Sequence, residues 1–425
     1  MTVTAVVGAG FGDEGKGRVV DALAERADFV VRFQGGANAG HTLIGPFGKL
    51  VLHQLPSGVL SPRALNVLGP GVALDLPALL NELDALHARG VAPRLAISNR
   101  AQLVLLHHVV LDRCEEARLG ARAFGSTRNG IAPFYADKHA KLGVSIDDCA
   151  DEARLVARIA RALETKRPLF AALYREPVPD PEAVARALRA AYLRIEPLVC
   201  DSSELLGRAL DAGRPILLEG QLGALRDPDH GIYPFVTSSS PLAGFASVGA
   251  GVPPWAITRV VAVSKAYASA VGSGAFPTEL RGDEAAELRA RGGDAGEYGA
   301  TTGRPRRVGA FDAVATRYAC RVQGATEVVL TCLDVLGYMK EIPVCTAYRI
   351  GARTTTAFPT PRELEAAEPV YEHLAGWCRA IGDARSFADL PLEARAYVAR
   401  LQDLIGCPIR RVSIGPQRER LLEVA

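Results

Sequence analysis

The residues best suited to chemistry lie in a glycine-rich stretch near the start of the chain. An apolar run at residues 3–7 leads into Gly8-Ala9-Gly10-Phe11-Gly12-Asp13-Glu14-Gly15-Lys16-Gly17-Arg18. Closely spaced glycines let backbone N–H groups surround a phosphate, and the lysine adds a positive charge. The stretch therefore predicts a strand, a phosphate-binding loop and a helix that continues to about residue 26.

The loop also indicates how a metal ion is held. Gly10, Gly15 and Lys16 match the front of a nucleotide P-loop, but Gly17 stands where that motif has the Ser or Thr that binds magnesium. Asp13 is the obvious replacement, because Mg²⁺ in nucleotide sites takes one or two carboxylates besides phosphate oxygens. A turn that only joins a strand to a helix is the alternative, but Asp, Glu and Lys in one loop favour phosphate chemistry.

A second glycine-rich turn follows the next predicted strand, residues 28–33. It reads Gln34-Gly35-Gly36-Ala37-Asn38-Ala39-Gly40-His41-Thr42. His41 has small and polar neighbours and no apolar surface to bury against, so we interpret it as a functional histidine. Asp13 and His41 together offer a carboxylate base and an imidazole acid for a proton-transfer step.

Three later turns add candidate binding residues. Gly299-Ala300-Thr301-Thr302-Gly303-Arg304-Pro305-Arg306-Arg307 places threonines beside arginines, whose guanidinium groups suit a dicarboxylate; a solvated basic turn is the alternative. Asp334, in Thr331-Cys332-Leu333-Asp334, can accept from both N1–H and the 2-amino group of guanine, a pair that adenine lacks; a helix cap is the alternative. Ser413-Ile414-Gly415-Pro416 is a possible second turn against that base.

The composition limits the classes of function. A chain of 425 residues, 48% hydrophobic, buries a large core in one elaborated domain or a few smaller ones. The net charge of +2 gives no sign of a nucleic-acid or membrane partner. The eight cysteines form no CxxC pair, which favours reduced thiols, and there is no leader-like or membrane-length apolar run. We therefore expect a soluble, cytoplasmic protein.

Alternating strand-like and helical segments predict an α/β fold. We expect one large P-loop-like domain, residues 1–425, with a mainly parallel central sheet and flanking helices. Further strands are predicted at residues 49–53, 64–68, 94–98, 215–218, 259–263 and 327–330, and an amphipathic helix at 76–87. The period is helical at about 147–212, which predicts a helical subdomain inserted there. Ligands bind beyond the carboxyl ends of strands in such sheets.

Six motifs, spread over essentially the whole chain, resemble those of the adenylosuccinate synthetase family in the same order. They are residues 12–17, 34–42, 229–239, 276–280, 299–304 and 413–416. The resemblance implies GTP-dependent ligation of L-aspartate to the 6-position of IMP through a 6-phosphoryl intermediate, giving adenylosuccinate, GDP and phosphate. It also implies Mg²⁺ as cofactor, GTP as co-substrate and a homodimer.

The resemblance also implies roles for individual residues. Asp13 is the base, His41 the acid, and Lys16 with Mg²⁺ neutralises the transferring phosphoryl group, Mg²⁺ being held by Asp13 and the Gly40 carbonyl. The implied IMP site is Asp13, Glu14, Gly15, Lys16, Asn38, Ala39, Gly40, His41, Thr127, Lys141, Leu222, Thr237 and Arg304. The implied aspartate site is Ala300, Thr301, Thr302, Gly303, Arg304 and Arg306. The implied GTP site is Gly12, Gly15, Lys16, Gly17, Arg18, Gly40, Thr42, Arg306, Cys332, Leu333, Asp334, Ser413, Ile414 and Gly415.

Several positions depart from the family's motifs. Leu222 stands where the family has a glutamine facing the 6-oxygen, and Lys141 replaces an arginine that reaches a neighbouring subunit's IMP phosphate. Asn129 lies in an altered loop, and Cys332 replaces a lysine beside guanine. Either Gln221 substitutes through a one-residue loop shift or the substrate differs near its 6-position. The alternatives are thus a paralogue acting on another oxo-purine nucleotide and a non-catalytic nucleotide-binding homologue.

Overall fold

The computed structural model describes residues 3–293, 296–299 and 303–424. Its strands are β1 (Val3–Gly8), β2 (Phe29–Arg32), β3 (His41–Gly45), β4 (Gly48–Leu52), β5 (Leu65–Leu68), β6 (Ala73–Leu74), β7 (Leu95–Ser98), β8 (Gln102–Leu103), β9 (Val199–Cys200), β10 (Ile216–Glu219), β11 (Ile257–Lys265), β12 (Ala268–Ala270), β13 (Arg307–Gly309), β14 (Phe311–Asp312), β15 (Glu327–Thr331), β16 (Glu341–Ile350), β17 (Arg353–Thr355), β18 (Glu368–Ala375), β19 (Ile409–Ser413) and β20 (Leu421–Glu423). Its α-helices are α1 (Lys16–Ala24), α2 (Leu76–His87), α3 (Leu106–Leu119), α4 (Ile131–His139), α5 (Glu152–Pro168), α6 (Pro181–Ile195), α7 (Ser202–Asp211), α8 (Ala243–Ala250), α9 (Gly282–Arg291), α10 (Ala313–Gln323), α11 (Pro361–Leu364) and α12 (Leu392–Ile405).

A ten-stranded sheet forms the centre of the molecule, in the order β20-β19-β15-β11-β1-β10-β2-β5-β7-β9. Its pairs are parallel except that of β19 with β20. Successive side chains of β1 enter opposite faces: Val7 joins an apolar cluster with Leu206 of α7, and Val6 joins one with Val19 of α1. Apolar clusters thus cover both faces of the sheet, and the prediction of an α/β fold is confirmed.

Most predicted elements occur within a few residues of their expected positions. Helix α2 has the predicted bounds, because the Asp75 carboxylate accepts a hydrogen bond from the Ala78 N–H and proline occupies the first turn. The strand expected at 49–53 exists as β4, but it pairs antiparallel with β3 in a separate hairpin rather than in the parallel sheet. The short turn at Gly48, which has a φ of 82°, makes this local pairing possible.

The region at 147–212 is helical, with one exception. It contains α5, α6 and α7, and α5 ends in a π-helical turn, Leu169–Tyr174. Strand β9 lies between α6 and α7 and pairs with β7 at the edge of the main sheet. Leu155, Ile159 and Tyr192 pack in one apolar cluster with Leu79 and Leu83 of α2. The assignment of a separate subdomain stays a prediction.

Two further observations concern membrane-spanning helices and disulfides. Within the described ranges, no helix combines the length and the apolar character needed to cross a bilayer. All eight cysteines lie in described segments, and none forms a disulfide. The absence of disulfides is consistent with the predicted reduced thiols.

Candidate active site

The loops that follow the central parallel strands open onto one large cavity. Its volume is about 930 Å³, and its wall includes loops that follow β1, β2, β10, β11 and β15. Cavities of several hundred Å³ at the carboxyl ends of parallel strands are typical ligand sites. Cationic side chains outnumber carboxylates on this wall, which suits ligands that carry phosphate and carboxylate groups.

The first loop turns sharply before helix α1. Gly12, Asp13 and Gly15 have left-handed φ values of 105°, 61° and 89°, and Asp is one of the few residues other than Gly that tolerate this conformation. The side chain of Asp13 is 34% exposed on the cavity wall, and its Oδ2 lies 3.1 Å from Arg306 Nε. The loop thus presents a carboxylate to the cavity beside a guanidinium group.

The side chain of Glu14 points back into this loop. Its Oε1 accepts hydrogen bonds from the N–H groups of Gly10 (3.1 Å) and Gly12 (2.8 Å), and its Oε2 lies 2.6 Å from Lys16 Nζ. Lys16 lies on the wall of the large cavity, whereas Glu14 and Gly12 line a small cavity of about 40 Å³ behind the loop. Glu14 therefore shapes the loop and fixes Lys16 rather than lining the large cavity.

A buried carboxylate fixes the ring of His41. Nδ1 of His41 lies 2.6 Å from Glu219 Oε1, and this oxygen also accepts a hydrogen bond of 2.6 Å from Ser57 Oγ. Burial lowers the pKa of His41, although Glu219 opposes the shift. Burial disfavours the Glu219 carboxylate as well, but His41, Arg32 and Ser57 outweigh it and lower the pKa of Glu219. The pair therefore consists of a neutral imidazole that donates from Nδ1 and an ionised carboxylate, which leaves Nε2 for a ligand.

The turns predicted to read guanine adjoin the first loop. Arg18 Nη1 in α1 donates hydrogen bonds to Ser413 Oγ (3.3 Å) and the Gly415 carbonyl (3.1 Å). Thr331 Oγ1, at the end of β15, donates a hydrogen bond of 2.7 Å to the Glu14 carbonyl. These bonds connect both turns to the phosphate loop.

Most predicted site residues lie on the wall of the large cavity. They are Asp13, Gly15, Lys16, Gly17, Arg18, Asn38, Ala39, Gly40, His41, Thr42, Thr127, Leu222, Thr237, Arg304, Arg306 and Cys332. Leu333, Ser413, Ile414 and Gly415 are buried, and Asp334 is half-buried. Lys141 and Gly303 are exposed, and Lys141 follows α4 outside the cavity of its own chain. Ala300, Thr301 and Thr302 lie outside the described residues.

Comparison with known proteins decides the family. The adenylosuccinate synthetase family model matches residues 5–422. The chain belongs to the adenylosuccinate synthetase family. The adenylosuccinate synthetase of Acidothermus cellulolyticus is 47% identical over 427 residues, covering 100% of this chain and 99% of the relative. That of Moorella thermoacetica is 46% identical over 424 residues, 99% of each. The structure of the fully ligated adenylosuccinate synthetase from Plasmodium falciparum is similar over 100% of both chains, at 31% identity and a TM-score of 0.93.

In this member of the adenylosuccinate synthetase family, Leu222 and Gln221 occupy the region where the family's glutamine is expected. Leu222 lies on the cavity wall with a left-handed φ of 61°. The side chain of Gln221 is 1% exposed: its Oε1 accepts hydrogen bonds from Arg32 Nη2 (2.7 Å) and the Gly36 N–H (3.0 Å), and its Nε2 donates one to Asn38 Oδ1 (2.6 Å). The amide of Gln221 is thus used within the wall, and an apolar side chain faces the cavity beside it.

Three further residues of the candidate site were not predicted from the sequence. Glu219 ends β10, and its position at the carboxyl end of a predicted strand was a usable signal. Lys265 ends β11 in the same way and lies on the cavity wall. Arg226 also lies on the wall, but it is the last residue of a short 3₁₀ turn and no local sequence pattern identifies it.

A second cluster of potential metal ligands lies apart from the cavity. Nε2 of His107 and Nε2 of His108 both lie 3.2 Å from Asp137 Oδ2, and Lys166 forms an ion pair with the other oxygen of Asp137. The Leu105 N–H donates a hydrogen bond of 3.0 Å to His108 Nδ1, so the ring proton must be on Nε2. This nitrogen then donates to Asp137 and has no lone pair for a metal. We interpret the cluster as structural.

Because His108 is buried in this cluster, we expect the free energy of unfolding to fall in mild acid. Burial lowers the pKa of His108 from its ordinary value of 6.5 to about 4. Between these values the unfolded chain binds a proton that the folded chain does not, so the free energy of unfolding falls as the pH falls, by at most ~1.4 kcal/mol per pH unit. Urea unfolding across this range is expected to show a shallower pH dependence in His108→Gln than in the wild type. Equal slopes would show that His108 does not cause the loss.

Proposed function

We propose that this chain ligates L-aspartate to the 6-position of IMP at the expense of GTP, giving adenylosuccinate, GDP and phosphate. The main observation in support of this function is that Asp13, Lys16 and His41 line one nucleotide-sized cavity in a chain of this family. A base, a phosphate-binding cation and an imidazole are the groups that activation of an oxo-purine requires.

The first step activates the 6-oxygen, which is a poor leaving group. Asp13 accepts the proton from N1 of IMP, and the oxygen becomes nucleophilic toward the γ-phosphoryl group of GTP. Lys16 neutralises charge on that group, and Nε2 of His41 supports the charge that develops on the 6-oxygen. Its hydrogen bond to Glu219 holds the ring in the required orientation. Arg18 and the turns at Cys332–Asp334 and Ser413–Gly415 bind the guanosine part, where the Asp334 carboxylate selects guanine.

The second step replaces phosphate by the amine of aspartate. Arg304 and Arg306 bind the aspartate carboxylates, together with the loop at residues 300–303. The contact between Arg306 and Asp13 supports this assignment, since it brings a carboxylate-binding group beside the residue that serves the 6-position. Asn38, Thr127 and Thr237, all on the cavity wall, bind IMP.

The donor atoms present also suit Mg²⁺. Asp13 and Gly40 lie on the same wall and offer a carboxylate and a carbonyl oxygen, both of the hard type that Mg²⁺ prefers. When bound, the ion supplies positive charge against the phosphate oxygens. We also propose a homodimer in the cytoplasm: the exposed Lys141 then approaches the IMP phosphate of the neighbouring subunit, as the family resemblance implies.

A substrate comparison tests this function. Purified protein with GTP, Mg²⁺, aspartate and IMP is expected to increase absorbance near the purine band as adenylosuccinate forms. The same assay is run with other 6-oxopurine nucleotides, because Leu222 alters the wall, and with ATP in place of GTP. No turnover with IMP, or faster turnover with another oxo-purine nucleotide, would contradict the proposal. Equal rates with ATP and GTP would contradict the role of Asp334.

A further inference from the structure

Arg226 has an unusual environment for an arginine in the wall of an active cavity. The residue is 9% exposed, and its guanidinium group lies over the ring of Phe11, 5.3 Å from the centroid. Burial lowers its pKa to about 10. Among the described residues no carboxylate forms an ion pair with it, and its hydrogen-bond partners are main-chain carbonyls. Burying a cation that has only neutral hydrogen-bond partners costs folding free energy, so we expect this arginine to have a specific role.

Of the three hydrogen bonds that Arg226 makes within the described part of the chain, two reach one stretch of the wall, residues 271–274, and the third reaches Phe235. Arg226 Nη2 donates to the Val271 carbonyl (2.5 Å), and its Nη1 donates to the carbonyls of Ser273 (3.3 Å) and Phe235 (2.6 Å). Arg307 Nη1 donates to the two alternate carbonyls of the same stretch, at residues 272 (3.4 Å) and 274 (2.8 Å). Four successive carbonyls at 271–274 are therefore held by two guanidinium groups.

This stretch needs such support because it is rich in glycine. Gly272 and Gly274 have φ values of 83° and 110°, a region open mainly to glycine. Because glycine has no side chain, it restricts the main chain less than any other residue. The two arginines are not equivalent: Arg307 also forms an ion pair with Glu279 (2.6 Å), whereas Arg226 is committed to carbonyls. Arg226 is thus the one whose removal frees carbonyls of this stretch without also breaking the ion pair with Glu279.

The stretch adjoins the proposed aspartate site. Gly272 packs against the loop at residues 124–125, since a Cβ on Gly272 would lie 3.4 Å from the Phe124 carbonyl. Gly125 lies in turn beside Arg304, because a Cβ on Gly125 would lie 3.7 Å from Arg304 Nη1. The guanosine side of the site, marked by Arg18, is held by other contacts.

We propose that Arg226 is a positioning residue that, with Arg307, clamps the wall at 271–274 and thereby fixes the shape of the site for L-aspartate. This inference rests on the proposed function. The clamp depends on the planar fork, which reaches carbonyls from two segments at once; a lysine ammonium keeps the charge but cannot span them.

Steady-state kinetics of Arg226→Lys and Arg226→Met test the clamp. Both variants are expected to raise KM for aspartate about tenfold, the effect of losing one or two hydrogen bonds, while KM for GTP stays within about twofold. Arg226→Met fills similar volume without a buried charge, so its melting temperature is expected to stay close to that of the wild type. The control is Arg291→Met, which removes an arginine that stacks on Tyr338 at 4.5 Å and is not itself part of the cavity wall; it is expected to leave KM for aspartate unchanged.

The outcomes separate this inference from the function on which it rests. If the wild type is active and Arg226→Lys keeps the wild-type KM for aspartate, the clamp is overturned, because the positive charge alone then suffices. Parallel changes in both KM values and in melting temperature also overturn it, because they show a general structural role. A wild type that forms no adenylosuccinate overturns the proposed function and the clamp together.

Discussion

Asp13→Asn is expected to lower kcat about 10³-fold, in the range that positioned acid–base groups contribute, while the protein still binds IMP and GTP. Asn cannot accept the N1 proton, so the 6-oxygen stays a poor nucleophile. Asn is chosen because it tolerates the left-handed φ of 61° at this position as Asp does, and the loop is expected to keep its shape. Adenylosuccinate formation measures kcat, and titration calorimetry with IMP measures binding.

The control for Asp13 is a matched substitution away from the cavity. Asp283→Asn changes an exposed carboxylate in the first turn of α9 and is expected to keep wild-type kcat. If Asp13→Asn retains more than about a tenth of the wild-type kcat, its carboxylate is not the base that the mechanism requires. A loss of IMP binding in the same variant would instead indicate that Asp13 acts through binding.

The sequence predicted those parts of the site whose signal is local. The loop at residues 8–18 and the turn at 34–42 each combine glycines with charged, polar or imidazole side chains over a few positions, and part of each lines the large cavity. Helix α2 was predictable for the same reason, since its apolar period and its Asp75 cap lie within one segment.

The missed features depend on partners far apart in the chain. Ser57 and Glu219 are separated by 162 residues, and Arg32 and Gln221 by 189, yet each pair shares a buried hydrogen bond. An arginine in a strand normally predicts an exposed position, whereas Arg32 is fully buried and its charge is balanced by Glu219. Only the order of strands in the sheet brings these groups together.

Strand pairing was uncertain for a related reason. A strand pattern identifies an extended segment, but it does not identify the neighbour that the segment pairs with. Strand β4 therefore had the correct position and an unpredicted antiparallel partner in β3. This hairpin begins at His41, so the pairing also determines how the imidazole is presented to the cavity.

Glu219→Gln is the second substitution with a large expected effect, about 10²-fold in kcat, because the orientation and tautomer of His41 depend on this carboxylate. A glutamine amide keeps the shape of the side chain but cannot match the ionised acceptor that now receives the Nδ1–H group and the Ser57 hydroxyl. The substitution also removes a carboxylate whose negative charge favours the charged form of the buried Arg32, so the folded state is expected to lose stability. A lowered melting temperature is therefore expected, and kcat is measured well below it.

A double-mutant cycle with His41→Asn separates the two effects of Glu219→Gln. If Glu219 acts on the reaction through His41, the double variant is expected to lose about 10²-fold in kcat, as each single variant does, because the imidazole that Glu219 orients is already absent. The destabilisation caused by Arg32 is expected in both backgrounds, since it does not involve the ring. Multiplied losses in kcat would instead mean that Glu219 acts on catalysis independently of His41, and its positioning role would be wrong.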